Sequence, residues 1–254
     1  TRKVLTDGNR ELWQLLEIDA QGNAKVYNYG NGAETTIGYD IYDGTLNSIY
    51  TTSSAGAIQN NEYDFNSLGN LDYRKDHVSG FEEHFNYDEL NRLDDWIKSG
   101  SGASGTIDVN YDGYGNIKFK TGVGTYHYDN KPHAVSRISG TSSLVGSFAY
   151  DANGNMTSGG GRSLIEYNVN NKPVNIVSSS LQTKFLYSID GARVKRTDIT
   201  NPNSAEKSTK ETVYIGNVEI TKVDGALEQI QRSIEGVAVE TYIAATEFIQ
   251  LDYL

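Results

Sequence analysis

The chain has 254 residues, 37% of them hydrophobic, with 18 tyrosines, 26 glycines, 3 prolines, no cysteine and a formal charge of −11. An acidic chain repels phosphate backbones and anionic lipid, so nucleic-acid and membrane-surface binding are disfavoured. The lack of cysteine excludes disulfides, thiolate metal sites and cysteine nucleophiles, and no apolar run approaches the ~20 residues of a membrane-spanning helix.

Taken in chain order, the start (Thr1-Arg2-Lys3-Val4-Leu5) is not a signal peptide and carries no initiator methionine, which reads as a fragment or a processed piece. Residues 11–18 (ELWQLLEI) are expected as a strand. A turn-like Asp19-Ala20-Gln21-Gly22-Asn23 comes next, and tyrosines alternate after it. Tyrosine–aspartate pairs then recur at Tyr39-Asp40, Tyr42-Asp43, Tyr63-Asp64, Tyr87-Asp88, Tyr111-Asp112, Tyr128-Asp129 and Tyr150-Asp151. Degenerate copies stand at Tyr27-Asn28, Tyr167-Asn168 and Tyr187-Ser188. From Tyr63 to Tyr187 the steps are 24, 24, 17, 22, 17 and 20 residues, too scattered for a strict solenoid rung and suited to hairpins with far loops of varying length.

The residues just after each pair give the unit its form. Residues 150–156 (Tyr150-Asp151-Ala152-Asn153-Gly154-Asn155-Met156) and 111–117 (Tyr111-Asp112-Gly113-Tyr114-Gly115-Asn116-Ile117) share the pattern Y-D-x-x-G-N-apolar. Residues 63–71, with Gly69, read as the same pattern with a two-residue insertion, and Asn91 stands in the glycine place after Tyr87-Asp88. Tyrosine favours strands, aspartate caps a turn on backbone N–H groups, glycine or asparagine supplies positive φ, and an apolar residue opens the return strand. Ile117, Phe119 and Thr121 alternate with Lys118 and Lys120. Loops are expected at 99–105, 158–161 and 200–208, a further hairpin with a Gly216-Asn217 turn at 212–220, and more strands at 228–234 and 237–243. The organisation expected is a repeat array over 1–208 and non-repeat strands continuing the same sheet over 209–254.

Y-D-x-x-G-N-apolar at roughly twenty-residue spacing resembles the RHS/YD-repeat proteins, which include bacterial Rhs polymorphic toxins, the C component of insecticidal toxin complexes, wall-associated proteins and teneurins. The resemblance covers about residues 20–200. It implies an all-β fold in which antiparallel hairpins build an extended, spiralling sheet, part of a hollow shell around a C-terminal toxic domain. It also implies a secreted or cell-surface location. The family's self-cleavage segment carries an Asp-Pro motif, and this sequence contains no Asp-Pro, so no catalytic residue is carried over.

Other chemistry is weak. His77 and His84 lie near Glu82 and Glu83, but on a strand only His84 and Glu82 share a face, and two ligands do not define a metal site. The turns at 112–116 and 151–155 are oxygen-rich, yet lack the terminal acidic ligand of a calcium loop. Gly159-Gly160-Gly161 and Gly122-Val123-Gly124 have no Lys-Ser after them and are not phosphate loops; no G-x-S-x-G elbow is present. No enzyme activity, metal or cofactor is expected. Partners are expected to be the rest of the same polypeptide or its toxin cargo, with self-association through open sheet edges. Glycan stacking on a tyrosine-rich face is the alternative.

Overall fold

The computed structural model describes residues 4–102 and 104–253; Thr1-Arg2-Lys3 and Ala103 of the 99–105 loop lie outside them. Every regular element among the described residues is a strand, and the strands pair antiparallel with their neighbours in sequence. The all-β, hairpin-built class expected from the repeat is the class observed. Residues expected as strand rather than helix form Arg10–Ile18, and the expected loops fall between Leu93–Ser99 and Gly105–Tyr111, Met156–Ser158 and Arg162–Tyr167, and Arg193–Thr200 and Ser208–Ile215. Among the described residues no helix is long and apolar enough to cross a membrane.

The chain forms two compact units, one of residues 1–112 with 119–121 and one of 113–118 with 122–254. The first is a meander in which each strand from Val4–Asp7 to Gly105–Tyr111 pairs with the next. In the second, Gly124–His127, Arg137–Ser139 and Gly146–Ser147 pair in order, Ala149–Tyr150 pairs with Met156–Ser158, and nine strands run from Arg162–Tyr167 to Phe248–Tyr253. Strand Arg193–Thr200 pairs with Ser208–Ile215 along six residues, from Lys195 opposite Val213 to Thr200 opposite Ser208.

The interior is thin and half polar. Leu12, Ala33 and Val109 are buried in the first unit, and Ile138, Ile165, Ile234 and Ala238 in the second. Buried alongside them are Thr35, Thr51, Thr183, Thr212, Thr221 and Thr241. Threonine suits this place because its β-branch favours extended backbone while its hydroxyl finds a cross-strand partner. Thr35 and Thr51 sit opposite each other with hydroxyl oxygens 2.9 Å apart, and Thr183 donates to the carboxylate of Asp198 at 2.7 Å. Glu83, 4% exposed, accepts at 2.6 Å from Nε of the opposing Arg74, whose guanidinium lies 5.6 Å from the Phe85 ring centroid.

Candidate functional site

The motif residues collect at the turns, and one hydrogen-bond pattern repeats there. Oδ1 of Asp88 accepts from the N–H groups of Leu90 and Arg92, each at 2.9 Å. Oδ1 of Asp151 does the same with Asn153 and Asn155 at 2.9 and 2.8 Å, and Oδ1 of Asp19 with Gln21 and Asn23 at 2.9 and 2.8 Å. The backbone closes each turn as well: Asp88 N–H reaches Arg92 carbonyl, and Asn91 N–H reaches Asp88 carbonyl, both at 2.9 Å. This is a three-residue hairpin loop, a type I turn with a left-handed residue after it. The left-handed place, three residues after the cap, is filled by Gly154 (φ 87°) or by Asn91 (φ 58°) and Asn171 (φ 56°). Asparagine is among the few non-glycine residues that tolerate it.

That spacing corrects the frame at Tyr63. Asp64 is the second-last residue of strand Gly56–Phe65, opposite Tyr73, and among the described residues accepts only from Phe65 N–H at 3.1 Å. The cap is Asn66, which accepts from Leu68 and Asn70 at 3.0 and 3.1 Å. Residues 65–71 are thus a full copy with no insertion, Phe65 standing for tyrosine and Asn66 for aspartate, because the cap must lie three residues before Gly69 (φ 81°). Tyr63 points its hydroxyl to the Asn61 amide at 3.1 Å. Tyr42-Asp43 likewise is no separate copy: it lies inside the turn capped by Asp40, whose Oδ1 accepts from Tyr42 N–H at 2.7 Å. Asp129 departs as well, since it holds the Ser136 hydroxyl at 2.7 Å across a longer loop that contains Pro132. The turn at Asp112, with Gly115 at φ 85°, lies where the two compact units divide.

The tyrosines have a role that spacing did not reveal. The hydroxyl of Tyr87 donates to the Leu71 carbonyl at 2.7 Å, Tyr111 to Leu93 at 2.9 Å, Tyr128 to Ile117 at 2.9 Å, Tyr167 to Met156 at 2.9 Å and Tyr187 to Pro173 at 2.9 Å. Tyr39 reaches Ala24 at 3.3 Å. Each acceptor is the first residue of the preceding hairpin's return strand. Burial pushes the hydroxyl pKa of Tyr87 up, with the charge of Asp72 adding to it, and burial does the same at Tyr111 and Tyr150. Among the described residues Tyr150 has no such bond, and Phe65 has no hydroxyl to give.

Successive turns also touch one another. The Asn70 amide meets Asn91 Oδ1 at 3.3 Å, Asn155 meets Asn171 Oδ1 at 2.8 Å, Lys131 donates to the Asp151 carbonyl at 3.1 Å, and Lys172 donates to the Gly191 carbonyl. His133 Nδ1 lies 2.8 Å from Oδ1 of the motif residue Asn116, while two other histidines make contacts elsewhere. His77 Nε2 lies 2.8 Å from Glu62, and His84 meets Tyr73 with ring centroids 4.7 Å apart and planes tilted by 40°. Among the described residues no three His, Cys, Asp or Glu side chains gather as a metal group.

Solved structures share this fold. The chain superposes on the crystal structure of TcdB2-TccC3-TEV with a TM-score of 0.76, at 15% identity, over 98% of this chain and 14% of that one. The fold is the one this toxin-complex structure holds over that stretch. The TcdB2-TccC3 crystal structure gives a TM-score of 0.73 at 15% identity, over 99% of this chain and 16% of that one. A Photorhabdus luminescens Tc holotoxin pore bearing a TccC3 mutation gives 0.69 at 17% identity, over 92% and 13%. The chain thus spans about one seventh of the length of the solved chains it matches. No family model and no curated protein sequence matches it.

Proposed function

We propose that this chain is a stretch of wall in a shell of the RHS/YD-repeat kind, enclosing or presenting a toxic polypeptide cargo outside the producing cell. The supporting observation is the superposition over nearly its whole length on TcdB2-TccC3 structures. The repeat chemistry supports a constructional role: motif carboxylates cap turns, and motif hydroxyls tie one hairpin to the next. On this reading the chain is not itself an enzyme. Its partners are the rest of the polypeptide and the cargo, and the recurring Tyr and Asp side chains are structural.

Limited proteolysis of the full-length polypeptide tests this. A cargo segment behind the wall survives a protease dose that destroys it once denaturant opens the shell. Cleavage at the same rate with and without denaturant contradicts enclosure.

A further inference from the structure

The first unit carries nineteen Asp and Glu against nine Lys and Arg, so −10 of the chain's −11 resides there. Its most exposed large apolar side chains all lie in motif turns: Ile41 at 82%, Tyr42 at 91%, Leu68 at 70% and Leu90 at 72%. Among the described residues the loops at the opposite ends of the same strands hold nothing comparable, Val78 being 52% exposed. Nothing in the turn itself requires an apolar residue there, since the capping bonds use only backbone N–H groups at these positions.

The edge has a regular pitch. Successive motif turns are two strands apart, which is about 9.5 Å at the spacing of hydrogen-bonded strands. The Asn70–Asn91 bond of 3.3 Å ties two of these turns side by side. A cavity of about 460 Å³ opens between the first two turns, lined by Ile18, Asp19, Lys25, Tyr39, Asp40 and Ile41. The cations of this edge are already engaged, Lys25 with Glu17 at 2.7 Å and Arg92 with Asp88 at 2.6 Å. Asp40, Asp43 and Glu89, which flank the apolar tips, form no ion pair among the described residues.

From this geometry we infer that the turn edge of the first unit is a docking surface for a basic, amphipathic α-helix of another polypeptide. An α-helix repeats every seven residues over about 10.5 Å. One apolar residue per heptad therefore meets one turn tip per repeat, while Lys and Arg between them face Asp40, Asp43 and Glu89. The first unit of a second copy does not fit the edge, because it too carries −10. Anionic membranes and polynucleotides are repelled for the same reason.

Fluorescence anisotropy with the 254-residue chain and a labelled Leu–Lys helical peptide tests the inference. The wild-type chain binds the peptide. I41S/L68S/L90S weakens binding by about tenfold or more. The paired change V169S/I189S, at exposed turn tips of the second unit, leaves binding within about twofold. A peptide of equal charge with Ser for Leu binds about tenfold more weakly or worse. No binding by the wild type, equal binding by the triple variant, equal loss in the second-unit variant, or equal binding of the Ser–Lys peptide each overturns it. All five substituted side chains are largely exposed, so folding is preserved.

Discussion

The hydroxyl of Tyr87 donates a 2.7 Å hydrogen bond to the carbonyl of Leu71, and the backbone ladder between their strands stops short of both. The last registered pair there is Tyr73 with His84, and Leu71 lies two residues beyond it towards the turn. The same arrangement recurs where Tyr187 reaches Pro173 beyond the Asn175–Lys184 pair, and where Tyr111 reaches Leu93 beyond Asp95–Asp108. The hairpins of Tyr87 and Tyr187 each end in a bulge at the tyrosine, at Asn86/Tyr87 and Leu186/Tyr187. A bulge increases local twist, which draws the turn end away from the neighbouring hairpin. The tyrosine hydroxyl spans the opening.

Removing the hydroxyl alone measures this. Tyr87→Phe keeps the ring and leaves the Leu71 carbonyl without its donor, so it costs about 1 kcal/mol. Tyr187→Phe costs a similar amount. Equilibrium denaturant unfolding is the measurement, and Tyr63→Phe, whose hydroxyl meets only a side-chain amide, moves the midpoint less.

The turn caps separate charge from geometry. Asn66 and Asn168 occupy the capping place and make the same two bonds as Asp88 and Asp151. Asp151→Asn therefore lowers the melting temperature less than Asp151→Ala. By contrast Asp64→Ala has a smaller effect than Asn66→Ala, because Asp64 lies in the strand and caps nothing beyond its neighbour's N–H. Thermal melts of the four variants decide it.

Acid titration has a defined sign. The Arg92 side chain, with backbone N–H groups, holds the Asp88 carboxyl below its ordinary value, and the Asn155 amide with its own N–H group does so at Asp151. Ser79 acts likewise on Asp76 and Ser188 on Asp190. A folded-state pKa below the unfolded value gives stability that is present above the unfolded pKa and lost as pH falls through the folded one. These groups thus hold their contribution down to about pH 4 and lose it below. Melting temperature measured against pH checks this; a rise on acidification contradicts it.

At the alkaline end Tyr29, pushed up to about 12 by burial and by Tyr27, has the opposite sign. Its stabilising share is present below the unfolded value near 10 and lost as pH rises towards 12. Ultraviolet titration of the tyrosines tracks it, with Tyr29→Phe removing a late-ionising ring.

The Arg74–Glu83 pair is asymmetric. The Glu83 side chain is 5% exposed and that of Arg74 51%. Arg74→Met leaves a buried carboxylate without its cation and costs about 3 kcal/mol. Glu83→Gln leaves a half-solvated guanidinium and costs about 1 kcal/mol. Chemical denaturation of both variants tests the order.

The hairpins are legible in the sequence because their turn chemistry is local: a cap, a left-handed residue three places on, and an apolar restart. The frame at Tyr63 misleads because a literal Tyr63-Asp64 competes with Phe65-Asn66, and only the distance to Gly69 decides between them. The Asp129 loop escapes the pattern because Pro132 and Ser136 replace the glycine turn. The tyrosine bonds are not legible at all, since they join residues 11 to 18 positions apart across a ladder that opens only in three dimensions. The exposed apolar tips are hidden for a different reason: the motif leaves those two positions unspecified.

The most direct test of a wall role is a cryo-EM map of the full-length polypeptide. The expected result places residues 1–254 in a continuous β-sheet wall, with density for enclosed polypeptide against one face of it. A map in which this stretch stands free, with solvent on both faces and nothing enclosed, contradicts it.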